Sequence, residues 1–364
     1  MAATSMAVLL PAAAAFGAAD DHDEPTADEA ITSAVRWIGR QQREDGGFDG
    51  FVPGAATPDG ILALAESAQT EATWANRSAL QRVEQDESEA GHTPLDAARR
   101  LARGNEDPVV SGRLILRVAL PLGVDAGDEG PFGDVIDRAT QGLADEETPF
   151  ADRVDLALAL TSAAVELPEG TLDGIVAAQQ PTGGWAVDGD PEAETADPAT
   201  TGAVVDLLVL AGTDVESGPI VAAMQHLAST QARNGTWADA DGDPSALATS
   251  GAVRAIRAVG HDPSGSCWQT DLSLPAKDTS AEAALIGLQD DDGRFAGEDP
   301  VVATASAVHA LSGRWLPRGL ASEACVPDDG RLLPFEPSLL VLGAIALVGV
   351  GGGVRILRSA PSAY

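Results

Sequence analysis

The sequence predicts an all-α fold built from helical hairpins, and three observations carry that prediction. A turn of the form Gln-x3-Gly-x-aromatic occurs four times: Gln42, Gly46, Phe48; Gln179, Gly183, Trp185; Gln231, Gly235, Trp237; and Gln289, Gly293, Phe295. The last three glutamines stand 52 and 58 residues apart, which is a repeat period. Asp-Pro pairs keep the same rhythm: Asp107-Pro108 and Asp197-Pro198 are 90 residues apart, close to twice the 46 between Asp197 and Asp243.

Each position has a physical task. Glycine can adopt φ > 0 and so ends a helix where another residue would clash. The glutamine amide is long enough to reach backbone groups left unpaired at that helix end. Trp or Phe two residues later supplies an apolar plate that closes the turn against its neighbour. Asp-Pro then restarts the chain, with Asp as N-cap and Pro in the first helical position. It does so at Asp107-Pro108, Asp197-Pro198, Asp243-Pro244 and Asp299-Pro300.

In chain order, residues 1–19 read as a secretory signal. An apolar run at 7–16 precedes the small residues Gly17, Ala18 and Ala19, although no Arg or Lys comes before it. Residues 20–331 form the ectodomain. Its first helix, 27–42, is amphipathic, with Ile31, Val35, Trp37 and Ile38 near one face. Thr57-Pro58 opens a second helix through Leu62 and Leu64. Residues 70–89 are polar and poorly periodic, fitting either an exposed helix or an insert. Thr93-Pro94, Asp107-Pro108, Gly130-Pro131 and Pro149 start further helices, but here the turn signature is lost.

It returns with helices near 171–180, 198–211, 217–231, 244–259, 279–289 and 301–313. Several second helices (200–210, 247–258, 301–311) are apolar nearly all round and belong inside, while the Gln-ending helices have a polar face and belong outside. Roughly a dozen helices in such pairs is enough to close a ring.

The C-terminal end reads differently. Residues 332–337, with Pro334, Glu336 and Pro337, form a stalk. Residues 338–354 carry no charge and are followed by Arg355 and Arg358. At 1.5 Å per residue that run spans about 26 Å. It predicts a single transmembrane anchor at 338–357, with 358–364 in the cytoplasm and the ectodomain outside the cell. There Cys267 and Cys325 would pair as a disulfide, closing a loop worth up to about 4 kcal/mol in chain entropy. The sequons Asn76-Arg77-Ser78 and Asn234-Gly235-Thr236 are compatible with that location, though such triplets are common.

Composition excludes one class of partner. The chain carries 56 acidic against 22 basic residues, net −34, and Lys277 is its only lysine. No basic stripe is present to replace phosphate counterions, so nucleic acid is not a partner. Acid spread through Ala- and Gly-rich sequence, with Arg in place of Lys, is the pattern of a halophilic surface. At 1 M salt self-repulsion is screened within about 3 Å.

The Gln-Gly-aromatic grammar resembles the terpenoid cyclase and protein prenyltransferase superfamily, with its α/α toroid of QW repeats. The resemblance is specific over 171–313, extends to 27–65, and rests on rhythm alone between them. It implies a double ring of helices around a central cavity, and it assigns the four turns a structural rather than catalytic role. The family's catalytic signatures are missing. No Asp-x-Asp-Asp acid motif is present, and Asp290-Asp291-Asp292 lies inside the fourth turn. Aligning Leu311-Ser312-Gly313 with the helix that carries the prenyltransferase zinc histidine puts Ser306, not His309, at the ligand position. The thioester Cys-Gly-Glu-Gln is also absent.

Three signals remain. Asp206 and His309 sit in apolar inner helices and are the candidates for groups facing a cavity, a core histidine being the default for His309. Asp239, Asp241 and Asp243 begin like a calcium loop, but lack the Gly at position six and have Ser250 at position twelve. Trp185, Trp237 and Trp268 could stack on a ligand, with turn-locking the default for the first two. The sequence therefore predicts a membrane-anchored surface toroid without cofactor or metal. It would bind a small molecule, for which the family's B12 carriers suggest a corrinoid, or a partner protein. The alternatives are a cyclase-like enzyme with rearranged catalytic groups and a structural surface-layer component.

Overall fold

A computed structural model of the chain describes residues 25–51, 54–69, 73–126, 130 and 132–315. The signal at 1–19, Cys325, the stalk, the anchor and the tail lie outside these residues, so the predicted disulfide and membrane span do too. Among the described residues no helix is long and apolar enough to cross a membrane.

The described chain is helical. It opens with α1 (Ala27–Arg40), α2 (Thr57–Ser67), α3 (Asn76–Gln85) and α4 (Pro94–Gly104). Pro108–Leu114, a π-helical turn at Ile115–Ala119 and Leu120–Leu122 run on as α5. Then come α6 (Val135–Ala144), α7 (Phe150–Ser162), α8 (Thr171–Ala177), α9 (Pro198–Leu210) and α10 (Gly218–Thr230). The series ends with α11 (Ala246–Ala258), α12 (Cys267–Asp271), α13 (Ala281–Ile286) and α14 (Pro300–Ser312).

Six of these helices form a closed inner ring. α2 packs on α14, α14 on α11, α11 on α9, α9 on α7, α7 on α5, and α5 back on α2. The outer helices bridge the joints: α1 lies across α14 and α2, α4 across α2 and α5, α6 across α5 and α7, and α10 across α9 and α11. α13 packs on α11 and on α1. The layer assignment follows from sequence. α9 is buried on every side from Thr200 to Leu208, whereas α1 buries only a stripe containing Ala30, Ile31, Ala34, Val35 and Ile38.

The repeat turn does more than end a helix. Gln179 Nε2 donates to the carbonyl of Gly183 at 2.7 Å and to that of Pro219, at the start of the next outer helix, at 2.8 Å. Gln42 does the same with Gly46 and Asp86. Gln289 bonds Gly293 and, at 2.9 Å, Ala30 of α1, so the last repeat is tied to the first. Gly183 has φ +98°, and a Cβ there would lie closer than 3.0 Å to the Ala222 carbonyl of α10. At the seam, Gly293 meets the Ser33 carbonyl in the same way. Glycine is thus required twice, for the turn and for the contact.

The aromatic plates are fully covered, and their backbone amides end on a threonine of the following inner helix. Phe48, Trp185, Trp237 and Phe295 donate to the hydroxyls of Thr57, Thr201, Thr249 and Thr304 at 3.0–3.1 Å. The two indoles also donate to the preceding outer helix, Trp185 to Ile175 at 2.7 Å and Trp237 to Leu227 at 2.9 Å. Trp268 is buried against Trp237, with centroids 6.3 Å apart, which places all three tryptophans in the core rather than on a rim.

Asp107, Asp197 and Asp299 cap their helices as predicted. Asp243 does not. α11 begins at Ala246, with the Ser245 hydroxyl accepting from the Ala248 amide. Ala238 and Pro244 form an isolated β-bridge that keeps the residue before the cap out of the helix. α6 likewise starts at Val135, later than Gly130-Pro131 suggests. The polar stretch at 70–89 contains α3, which is a helix with Ala79 and Val83 buried.

Candidate functional site at the ring centre

The inner ring is apolar except along its axis, where five of its helices deliver charge to one small space and α9 supplies Asp206 beside it. On α2, Asp59, Leu62 and Glu66 fall at i, i+3 and i+7, which is one helical face. α5 brings Leu116 and Arg117 within its π turn, where the widened helix lets two consecutive residues line the same cavity. α7 adds Asp155 and Leu158, and α14 adds Ala305, Ser306 and His309. α11 contributes Arg254, which meets Asp206.

The charges pair across the ring. Arg117 of α5 bonds Asp59 of α2. His309 Nδ1 of α14 lies 2.5 Å from Glu66 Oε1 of α2. Arg254 Nη2 is 3.4 Å from Asp206 Oδ2, close enough to attract but not aligned as a hydrogen bond. Asp59, Glu66 and Asp206 are at most 3 % exposed. Burying ions at this depth is tolerated only when they are paired.

Pairing is incomplete, however. Asp59 Oδ2, Glu66 Oε2 and both Asp206 oxygens are buried without a hydrogen-bond donor, and on the donor side Arg254 Nε lacks an acceptor. Burial pushes the Asp206 carboxyl above its ordinary pKa; Arg254 and His309 pull it back, and Asp155 adds to the rise. On α5, burial opposes the Arg113 charge, but Asp59, Asp155, Asp152 and Asp107 together hold its pKa above the usual value.

The space at the centre is about 20 Å³. That is room for about one water molecule, whereas pockets for drug-sized ligands run to about 300–1,000 Å³. A corrinoid or polyprenyl chain does not fit the centre in this conformation. Larger hollows are on the rim, including one of about 360 Å³ between Val165, Leu172 and Ala211.

The sequence candidates divide accordingly. Asp206 and His309 do come together at the ring centre. Sequence reasoning missed their partners Arg254 and Glu66, and the Asp59–Arg117 pair beside them. The available signal was a charged residue in the middle of an otherwise apolar inner helix, hidden by acid everywhere else. Asp239, Asp241 and Asp243 form an exposed turn, with Asp239 Oδ1 accepting the amides of Asp241 and Asp243. Among the described residues no group of three or more His, Cys, Asp or Glu side chains is arranged to hold a metal, this loop included. Asp290 and Asp292 are spent within the fourth turn, on Arg294 and its amide.

The architecture is an α/α toroid, and solved structures share that fold. A type II terpene cyclase, MstE from Scytonema, matches with TM-score 0.56 at 12% identity, over 79% of this chain and 98% of that one. A variant of it in complex with geranylgeranyl dihydroxybenzoate matches with TM-score 0.53 at 13% identity, over 79% and 97%. A protein from Actinoplanes matches with TM-score 0.50 at 15% identity, over 78% and 98%. No family model and no curated protein matches the chain. The shared property is the fold.

Proposed function

We propose that the protein is a non-catalytic binding toroid, displayed outside the cell by its apolar C-terminal run, whose ring centre takes a small polar molecule rich in hydrogen-bond donors. The observation that carries this reading is the unbalanced polar lining. Asp59 Oδ2 in the lining, with Glu66 Oε2 and both Asp206 oxygens beside it, has no donor, against the unpaired guanidinium nitrogens Arg254 Nε and Arg113 Nε. Buried acceptors left unmade cost about 1–3 kcal/mol each, so a ligand supplying N–H or O–H groups gains that back. Amines and polyols meet this hydrogen-bonding requirement once the centre, now about 20 Å³, opens to take them, and hydrocarbons do not meet it.

The test is thermal unfolding of the purified protein in high salt with a panel of small amines, polyols and geranylgeranyl compounds. A binder of the folded state raises Tm in a saturable way. Saturable stabilisation by an amine or polyol, lost in Asp206→Asn, is expected. Stabilisation by geranylgeranyl compounds alone would overturn the reading.

The likeness to type II terpene cyclases favours a second reading, a cyclase-like enzyme with Asp206 as proton donor. Burial keeps that carboxyl protonated to higher pH than usual, the property such an acid needs. Cyclisation of an isoprenoid by the native chain, abolished by Asp206→Ala or His309→Ala, would replace the first reading with this one.

A further inference from the structure

The last described residues bend across one mouth of the ring. Gly313 takes a left-handed conformation, φ +55°, and ends α14. The next residue, Arg314, donates to the Gln69 carbonyl beyond the end of α2. Trp315 then turns inwards and forms part of the wall of the central space, beside Arg117, Ser306 and His309. Its indole nitrogen donates to the Leu116 carbonyl, inside the π turn of α5, at 3.0 Å. Its ring leans on Trp74, with centroids 4.9 Å apart and planes tilted by 55°. Trp74 is itself fixed by a 2.8 Å bond to the Pro121 carbonyl, at the end of the same helix.

We propose that Trp315 is a removable stopper, and that the ring centre admits its ligand from this side when the indole swings out. The proposal rests on the reading of the centre as a ligand site and adds its regulation. Three features support it. The indole belongs to no helix of the ring, so its departure leaves all six inner helices packed. Among the described residues its indole is held by one hydrogen bond and one tilted ring pair, both modest contacts. The space it covers holds about 20 Å³ while lined by charged groups with unmade bonds, as expected of a site closed over by part of its own chain.

The experiment measures access without a ligand. Ala305 of α14 lines the centre and is 5 % exposed. Ala305→Cys in the full chain would be treated with a small methanethiosulfonate reagent well below Tm, and modification at that position followed by peptide mass. Ala223→Cys, buried in outer helix α10 away from the centre, reports global opening. Adding Trp315→Ala should accelerate labelling at 305 at least tenfold and leave 223 unchanged, with Trp74→Ala acting in the same direction. Equal labelling at 305 with and without the indole, or equal acceleration at both positions, overturns the proposal. Because this readout needs no ligand, a gate that opens onto a centre that binds nothing separates failure of the functional reading from failure of this one.

Discussion

Gln179 and Arg138 both stitch one outer helix to another, one in a repeat that keeps the turn signature and one in the middle section that has lost it. Gln179 sits in a fixed turn and reaches the first residues of the next outer helix, α10. Arg138 sits within α6 and reaches back to the Ala102 carbonyl of α4 at 2.7 Å, with a second bond to Ser111 of α5. The neutral amide works at a site that backbone geometry defines completely. The guanidinium works from a flexible stem, and its position depends on α4, α5 and α6 being already packed. Both joints carry a cross-repeat tie, but not the same one. Where the tie is also the turn, the sequence advertises it.

The largest effect should come from the glycine on which turn and tie coincide. Gly183→Ala places a side chain at φ +98° and drives its Cβ into the Ala222 carbonyl, backbone that cannot step aside. We expect a loss of about 3 kcal/mol, from combined φ strain and overpacking. Gly170→Ala is the control: φ is +82°, but nothing lies within 4 Å of the added atom. It should cost about 1 kcal/mol, the strain alone. Chemical denaturation of both variants would show this gap; equal losses would mean that the cross-repeat contact is not tight.

Next come the ties themselves. Gln289→Ala removes both bonds at the seam between the last repeat and α1 and should cost about 2 kcal/mol, since the stranded carbonyls are partly buried. Arg138→Ala should cost less, about 1 kcal/mol, because the Ser111 hydroxyl keeps its bond to the Asp107 carbonyl and only the Ala102 carbonyl loses its side-chain donor. If the arginine variant proved the less stable, the middle of the ring would be the better-tied half.

This contrast also explains how much could be read in advance. The four turns and the inner and outer layers were legible because local geometry forces Gly, Gln and an aromatic to fixed spacings; the closure of the ring was not, because the middle helices that complete it carry no such turn. The threonines that receive the aromatic amides were not. Thr57, Thr201, Thr249 and Thr304 follow their aromatics by 9, 16, 12 and 9 residues, since the loops between differ in length. Ser245 outcompeted Asp243 as a cap because the intervening bridge keeps Pro244 out of the helix. At the centre, Asp206 and His309 stood out against apolar helices, but Asp59 and Glu66 passed as ordinary surface acid. Their inward direction is fixed by the packing of α2 on α14 and α5, which no local pattern records.

The charged centre gives a pH signature that the repeat turns lack. Asp206 has a folded-state pKa raised above its reference of 3.8, chiefly by burial. Its neutral form therefore contributes stability that is fully present below that reference value and is lost as pH rises through the raised value. Asp206→Asn should leave stability near pH 3.5 unchanged and give a small rise in Tm at pH 7, with the difference growing between those limits. A lower Tm for the variant at pH 7 would mean instead that ionised Asp206 and Arg254 stabilise one another.

The smallest effect tests why the four turns do not share one aromatic. Phe48 and Phe295 close the first and fourth turns without an indole, whereas Trp237 donates to Leu227 at the end of its outer helix. Trp237→Phe keeps a ring in the turn and keeps the amide bond to Thr249, losing some apolar volume and one buried donor. The Leu227 carbonyl also accepts the Gln231 amide, at 3.1 Å, so it is not stranded. The cost should be about 1 kcal/mol, read as a modest fall in the denaturation midpoint with an unchanged slope. A much larger loss would show that the contact of Trp237 with Trp268, rather than its hydrogen bond, holds this turn closed. The Trp237 turn would then be tied through its ring face, and the phenylalanine turns through glutamine, glycine and threonine.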